Sequence, residues 1–413
     1  LLQVKKFKNI IVKNIGIVVD NDFNSDIRVQ KEVDILKKNG YNINVLCFSF
    51  NNKDYDLIEG VRVHRIKINK KLKDVLFFLF NRIPIYEYFW KRQIIRFIKY
   101  QTVDVLHVHD LYLAKSAALA IEKCELKIPL VLDLHENFPY AIQEYNWTKG
   151  KLRSLISAPE AWIKKESRYL NYATKLIVLS DSFKRALIRK HDFLLEKNIV
   201  TFPNIIDLRR FENYKINPGI EKSDRVTLMY FGVVAERRGI FDILKVLKNK
   251  NIQNLKVDLL IIGPVDKADK KRFHSEIMHP SLESRIHYIP WIELSELVSY
   301  MHISDIFLSP LKKNRQHESG VANKIYQYLY GGKPIIVSDC KPQKNLIEKF
   351  NCGLSYSTDE ELIASIIKLA EDKELREKLG ANGLENLYKC YDTSDHEKVL
   401  LGLYDDIFRN NGY

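Results

Sequence analysis

Short β-branched runs alternate along the chain with longer stretches whose apolar residues recur every three or four positions. Runs that read as strands lie at 15–19, 43–48, 61–66, 105–108, 130–134, 176–179 and 199–202. Helix-period segments lie between them at 27–39, 111–123, 159–172 and 183–190. Gly40 follows the first of these as a left-handed stop, and Ser180 or Ser182 caps the last. Strands separated by helices predict parallel sheets with helices on both faces, an α/β class.

The rhythm breaks at 203–225, where Pro203, Asn204, Pro218 and Gly219 interrupt any periodicity. It resumes with strands at 228–231, 257–262, 287–289, 306–309 and 335–338. A chain of 413 residues fits two domains. The pattern therefore predicts an N-terminal domain at 1–202, a linker at 203–225 and a C-terminal domain at 226–394. A last helical stretch at 395–413 could pack back on the N-terminal domain. Domains of this kind place ligand loops at the carboxyl ends of their strands, and two facing each other predict a deep cleft.

Charge changes this picture more than composition does. The net charge is +14, and residues 1–210 hold 37 Lys and Arg against 23 Asp and Glu. The rest of the chain holds 29 of each, so the whole excess sits in the first half. Its densest part, 62–99, has eleven Lys and Arg against only Asp74 and Glu87. Among these charges stand Phe77, Phe78, Phe80, Tyr86, Tyr88, Phe89 and Trp90. A basic, aromatic surface suits anionic lipid headgroups, at about 1 kcal/mol per cation near the membrane. Nucleic acid would also attract it, but no nucleic-acid motif accompanies it, and none is expected as partner. No apolar run approaches the roughly 18–20 residues that span a bilayer. The basic N-terminal stretch breaks at Lys13 and Asn14 and does not read as a signal peptide. The five cysteines form no C-x-x-C pair, which suits a reduced compartment and no zinc site. Together these predict a cytoplasmic protein, peripheral on the inner face of a membrane.

Candidate chemistry concentrates in a few segments. Residues 323–339, NKIYQYLYGGKPIIVSD, read as a helix, a Gly-Gly stop and a buried strand. Ahead of that helix, Ser319, Gly320, Val321, Ala322 and Asn323 would offer backbone N–H groups to a phosphate. Lys324 in its first turn would add a positive charge, and Gln327 could bind a ribose hydroxyl. Arg237 and Arg238 follow a strand through Gly232 and start a helix, where a cation is disfavoured unless an anion binds there. His135 and Glu136 end one apolar strand, and His109 and Asp110 end another. Asp26 and Arg28 follow the first strand, either as an ion pair or as part of a site. Asp20-Asn21-Asp22 spells an acidic D-x-D but stands after the first strand, and no metal is expected there.

The segment 323–336 resembles the nucleotide-binding helix of the retaining glycosyltransferases of family 4, which have the GT-B fold. Asn323, Lys324, Gly332, Pro334, Ile335 and Ile336 match its N-K-L-x-E and G-x-P-[IV]-[IV] elements. The family's ribose-binding glutamate falls on Gln327, and its earlier glutamate on Ser319, with Glu318 beside it. Further similarities follow in the family's order: FNSDIRVQKEVDIL at 23–36, VLHVHD at 105–110, LDLHENFP at 132–139, FPNIIDLRRF at 202–211 and FGVVAERRG at 231–239. Val233 stands where the family often carries an additional arginine.

The resemblance implies a hexosyl transfer from a nucleotide-sugar, without cofactor or metal, onto a glycan or lipid-linked acceptor of surface-polysaccharide assembly such as O-antigen or capsule. Arg238, Lys324 and Arg237 would grip the diphosphate beside Gly232. Gln327, Glu318 and Ser319 would face the ribose, and 320–323 the donor sugar or its phosphates. His135 would face the sugar, with Glu136 beside it, and Asp26, Arg28, His109 and Asp110 would lie on the acceptor side. Two rivals remain: a nucleotide-sugar epimerase on the same fold, and a catalytically weak partner subunit, the latter motivated by Gln327 and Val233.

Overall fold

The computed structural model describes residues 12–51, 55–204, 206–390 and 393–410. The basic segment 1–11, Ile205 of the FPNIID motif and the side chain of Cys390 lie outside the described residues. The other four cysteines are free thiols. Among the described residues the strands form two sheets, one in each of two units.

Unit 1 comprises 1–178, 187–201 and 399–413. Its strands are β1 (Asn14–Val18), β2 (Asn42–Ser49), β3 (Tyr55–Ile58), β4 (Val61–Lys67), β5 (Val105–His109), β6 (Leu130–Leu134), β7 (Lys175–Val178) and β8 (Ile199–Thr201). They lie in the order β3-β4-β2-β1-β5-β6-β7-β8, parallel except for β3 against β4. β1, β5, β6 and β7 are almost wholly buried, as strands covered on both faces must be. β3 escapes the sequence pattern because its YDLI alternates exposed and half-buried residues at the sheet edge. It returns to β4 through Glu59 and Gly60, both at positive φ, a tight hairpin turn.

Unit 2 comprises 179–186 and 202–398. Its strands are β9 (Val226–Phe231), β10 (Val257–Ile262), β11 (Ile286–Ile289), β12 (Ile306–Ser309), β13 (Ile335–Ser338) and β14 (Gly353–Tyr356). They lie in the order β11-β10-β9-β12-β13-β14, all parallel, which is the doubly wound dinucleotide-type order. β14, GLSY, carries too few apolar residues to stand out in the sequence.

Two segments differ from the sequence expectation. The stretch expected as a linker, 203–225, belongs to unit 2. Ile206, Leu208 and Phe211 are buried in that unit's core, the last two on a short helix, Leu208–Glu212. The segment 179–186 also clusters with unit 2, where Ser180 Oγ donates to the Ser319 carbonyl at 2.6 Å.

The helix Thr393–Asn410 ends the described chain, and its residues from 399 onward pack on unit 1. Tyr404 is fully buried there and hydrogen-bonds His107 Nδ1 at 2.8 Å. Tyr41 meets the rings of Tyr404 and Phe408, and Lys175 Nζ lies 2.7 Å from Asp406 Oδ2.

Candidate active site

In each sheet the strand order reverses once, beside β1 in unit 1 and beside β9 in unit 2. In open α/β sheets ligands bind outside the carboxyl ends of the strands at such a reversal. In unit 1 those ends carry Asp20, His109, Asp110 and His135.

Arg28 holds the centre of this cluster. Its guanidinium takes both oxygens of Asp133, Nε to Oδ2 at 2.8 Å and Nη2 to Oδ1 at 2.9 Å. The same Nε stands 3.3 Å from Glu32 Oε1, one helical turn along the helix Ile27–Lys38. Asp26, the candidate beside it, caps that helix, accepting from Val29 N. His109 Nδ1 meets His135 Nε2 at 2.8 Å, and Asp133 Oδ2 lies 3.5 Å from both. His107 stacks on His109 with ring centroids 4.5 Å apart. Thus Arg28 and His109, both expected on the acceptor side, are buried supports behind His135, which keeps a fifth of its side chain exposed.

Burial alone would raise the Asp133 carboxyl. The Arg28 guanidinium, with the His109 and His135 rings beside the carboxylate, outweighs it and holds Asp133 well below the usual carboxylate range. Glu32 goes the other way: burial, and the Asp133 charge beside it, push it well up. Burial keeps His107 and His109 neutral at pH 7. Burial would also lower His135, but Asp110, Asp133 and Asp26 together push it up to about 9. His135 is therefore an imidazolium at neutral pH, and its Nε2–H donates to His109 Nδ1.

A group whose folded value is raised stabilises the fold below its unfolded value, near 6.5, and loses that contribution as pH rises through the folded one. We therefore expect unfolding stability to fall between about pH 6.5 and 9, by up to about 3 kcal/mol. Denaturant titrations across that range should give a flatter profile for His135→Gln. An unchanged slope would mean that His135 does not carry the extra proton.

Among the described residues Glu32, His107, His109 and Asp133 form a group whose ligand atoms lie within 4.8 Å of one another, close enough to hold a metal ion. The protein supplies its own cation there: Arg28 occupies both Asp133 oxygens and contacts Glu32. The D-x-D spelling does not form a joint site. Asp22 pairs with Arg65 at 2.9 Å, whereas buried Asp20 accepts from the Tyr86 hydroxyl and lies 3.6 Å from Lys73. Burial, against Lys73 and Tyr86, pushes Asp20 up to about 6. Asp110, at φ 73, accepts from the Tyr112 hydroxyl at 3.1 Å. Both oxygens of Glu136 accept from Tyr145, at 2.9 and 2.7 Å.

Unit 2 builds a different kind of site. β9 runs into Gly232, whose φ of +132 only glycine adopts readily. A Cβ on Gly263, after β10, would fall 2.2 Å from the Gly232 carbonyl oxygen, so the two loops meet backbone to backbone. A Cβ on Gly232 would lie 3.9 Å from Lys324 Nζ. That ammonium is buried, sits 3.9 Å above the Tyr230 ring and has no hydrogen-bond partner among the described residues. Burial, and then the charge of Arg238, push Lys324 well down. The same positive field acts on His317, whose Nδ1 meets the Lys312 carbonyl at 2.6 Å. Burial, with Arg238, Arg237 and Lys324 nearby, pushes His317 down to about 4.

Lys324 is carried by the helix Asn323–Tyr330, whose N-cap, Ala322, gives no side-chain cap. Ile325 N donates to the Ala322 carbonyl at 2.9 Å, and a helix start without a side-chain cap is a place where an anion can meet backbone N–H groups. Arg237 and Arg238 lie in a single 3-10 turn, Glu236–Arg238, ended by left-handed Gly239. A Cβ on Gly239 would strike the Pro310 carbonyl at 1.6 Å, so this turn lies against the end of β12. Of the expected ribose contacts, Glu318 accepts from Lys341 N at 3.0 Å, and Ser319 Oγ donates to the Arg315 carbonyl at 2.8 Å. Gln327 is half-buried one turn along from Lys324.

The structure thus gathers Gly232, Arg238 and Lys324 in unit 2, and Asp26, Arg28, His109, Asp110 and His135 in unit 1. Asp133, Glu32, His107, Tyr230 and His317 escaped the sequence reading as site residues. Asp133 did have a signal, since in D-x-H it points to the same face of β6 as His135.

Two family models match the chain: Glycosyltransferase Family 4 over 31–210 and Glycosyl transferases group 1 over 212–386. Solved structures with the same fold include a sucrose-phosphate synthase from Thermosynechococcus elongatus, 15% identical, TM-score 0.75, covering 96% of this chain and 100% of that one. Another is an alpha,alpha-trehalose-phosphate synthase (UDP-forming) from Burkholderia vietnamiensis, 13% identical, TM-score 0.70, covering 95% and 100%. A third is Anabaena Alr3699/HepE in complex with UDP and glucose, 15% identical, TM-score 0.68, covering 95% and 100%. No curated protein sequence matches the chain.

Proposed function

Because this chain belongs to the family 4 glycosyltransferases of GT-B fold, we propose that it moves a hexose, with retention, from a nucleotide-sugar to a glycan acceptor held at a membrane surface. The observation that carries the donor half is Lys324, a buried ammonium beside Gly232 with no hydrogen-bond partner among the described residues. A buried charge without a partner is costly, and a diphosphate supplies the missing acceptor oxygens. Arg238 adds a second positive charge close by. The fold neighbour holding UDP and glucose favours a uridine diphosphate donor over other bases.

In this reading Lys324, Arg238 and the uncapped helix Asn323–Tyr330 stabilise the leaving diphosphate as the glycosidic bond breaks. Such fixed charge is usually the largest part of catalysis. His135, cationic at neutral pH, orients the transferring sugar by donating to its hydroxyls, and its charge favours the departing phosphate. The leaving phosphate receives the proton of the acceptor hydroxyl, on the same face of the sugar. Gln327 binds the ribose through its neutral amide, which both donates and accepts. The acceptor half rests on charge: the +14 excess lies in the first half of the chain, although no described helix is long and apolar enough to cross a membrane. Peripheral attachment at the cytoplasmic face of an anionic membrane accommodates both facts.

The test is a thermal-shift and hydrolysis screen of UDP-, GDP-, ADP- and dTDP-sugars, with and without EDTA. One donor is expected to raise the melting temperature and release its sugar slowly, with no change on chelation. If none binds, the partner-subunit reading replaces this one. If binding vanishes with EDTA, the metal-independent mechanism is wrong.

A further inference from the structure

The aromatic residues expected to form a membrane face mostly turn inward: Phe80, Tyr86 and Trp90 are buried. Phe77 packs edge-on against Tyr86, Tyr112, Phe138 and Trp147. What unit 1 shows instead is aliphatic. The helix Lys70–Phe78 has no buried residue. Lys73 and Phe77, one turn apart, form its inner side, Lys73 reaching toward Asp20. Leu72 and Val75, three apart, are 53% exposed each.

The loop after this helix ties it to a second one, Lys151–Ser157. Arg82 donates to the Leu155 carbonyl from Nε at 3.0 Å and Nη2 at 2.5 Å, and Asn81 Nδ2 donates to the Ser157 carbonyl at 2.6 Å. On this second helix only Ser157 is buried, and Leu152 and Leu155 are 71% and 63% exposed. Ile83, next to Arg82, is 44% exposed. Five large aliphatic side chains therefore stand out from two joined segments. Lys70, Lys71, Arg82, Lys151 and Arg153 stand among them, with Asp74 the one acidic residue on either helix.

We infer that this double-helix ledge, 70–83 with 151–157, is the surface by which the protein enters an anionic lipid leaflet. Leu72, Val75, Ile83, Leu152 and Leu155 would sink below the headgroups while the cations meet them. Exposed aliphatic side chains on short helices flanked by cations are the arrangement of an interfacial anchor. Hydrophobic burial alone would equally suit a second copy of the chain, but a ledge carrying five cations and one acid repels its own copy. This inference rests on the membrane-surface acceptor proposed above. It adds where the membrane contacts the molecule: the inner side of the same helix reaches Asp20 at the end of β1, so the ledge borders the ligand end of that sheet.

The test is co-sedimentation with vesicles of phosphatidylcholine containing about 30% phosphatidylglycerol, in about 0.1 M salt. The wild type should partition to these vesicles and much less to phosphatidylcholine alone. The Leu72→Asp/Leu155→Asp variant, altered only at exposed positions, should bind at least about tenfold more weakly. Lys71→Glu/Arg153→Glu should bind more weakly too and lose its dependence on salt. Equal binding by wild type and the Leu72/Leu155 variant overturns the inference, and so does a wild-type dimer without lipid that this variant dissolves. Lys324→Ala serves as the separating control. It should bind vesicles normally, so failure of donor binding and failure of the ledge would be told apart.

Discussion

Lys324→Met will leave the ligand-free protein more stable while abolishing its use of a nucleotide-sugar. Both effects come from one feature, an ammonium buried over the Tyr230 ring with no hydrogen-bond partner among the described residues. Without ligand, the buried charge is a cost that methionine, of similar length, does not carry. We expect the melting temperature to rise by about 2–4 °C, the equivalent of about 1 kcal/mol in a domain of this size. With donor present, the fixed charge beside the leaving diphosphate is gone, and turnover should fall by about 10²–10³. Burial holds the Lys324 pKa well down in the empty site, and a bound diphosphate raises it again. Nucleotide binding at alkaline pH should therefore take up a proton. Calorimetry in buffers of different ionisation enthalpy reads that uptake directly, and the Lys324→Met protein should lack it. Normal turnover in this variant would remove Lys324 from the mechanism.

Arg28→Ala should be the most damaging single change in unit 1. It leaves Asp133 and Glu32 buried without their cation, a loss of about 3–5 kcal/mol for breaking a buried ion pair from one side. Chemical denaturation at pH 7 would measure it. Lysine would not rescue the site, because the guanidinium grips both Asp133 oxygens at once. The penalty has a pH signature. Asp133 is held below its unfolded value, so its contribution is present above about pH 4 and lost as pH falls through its folded value. In Arg28→Ala that carboxyl protonates at higher pH, and the gap between variant and wild type should narrow from pH 7 to 5. Arg28→Ala combined with Asp133→Asn should cost less than the sum of the two alone. Additive losses would mean that the pair does not act as one unit.

The strand-helix alternation was readable because each central strand is a compact apolar run buried on both faces, as β5 and β6 are. β3 and β14 were not, since edge strands need apolar residues on less of their surface. Lys324 was legible as a candidate site residue because helix, glycines and proline stand next to it in sequence. Its burial over the Tyr230 ring, with Arg238 nearby, was not, because both residues stand nearly a hundred positions away. Arg28 shows the same limit: spacing suggested a partner at Asp26, whereas the bidentate partner is Asp133. The aromatic cluster at 77–90 was visible, but composition does not say which side of a helix turns inward. Tyr86, Trp90, Ile94 and Phe97 recur at helical spacing on the helix Ile85–Tyr100 and all go to the core.

The last helix carries a consequence for how this molecule is made and remade. Residue 404 completes the environment of His107 in a unit whose other parts end at 201. During synthesis, unit 1 stands without one of its packing faces until the residues after 399 have left the ribosome. The intervening two hundred residues, by contrast, have every part of unit 2 in hand first. A fragment stopping at 201 would expose the rings that Tyr404 and Phe408 cover, and would be prone to aggregate. Any chimera that exchanges unit 2 must therefore be cut twice, near 201 and near 399, so that the residues after 399 return to their own sheet.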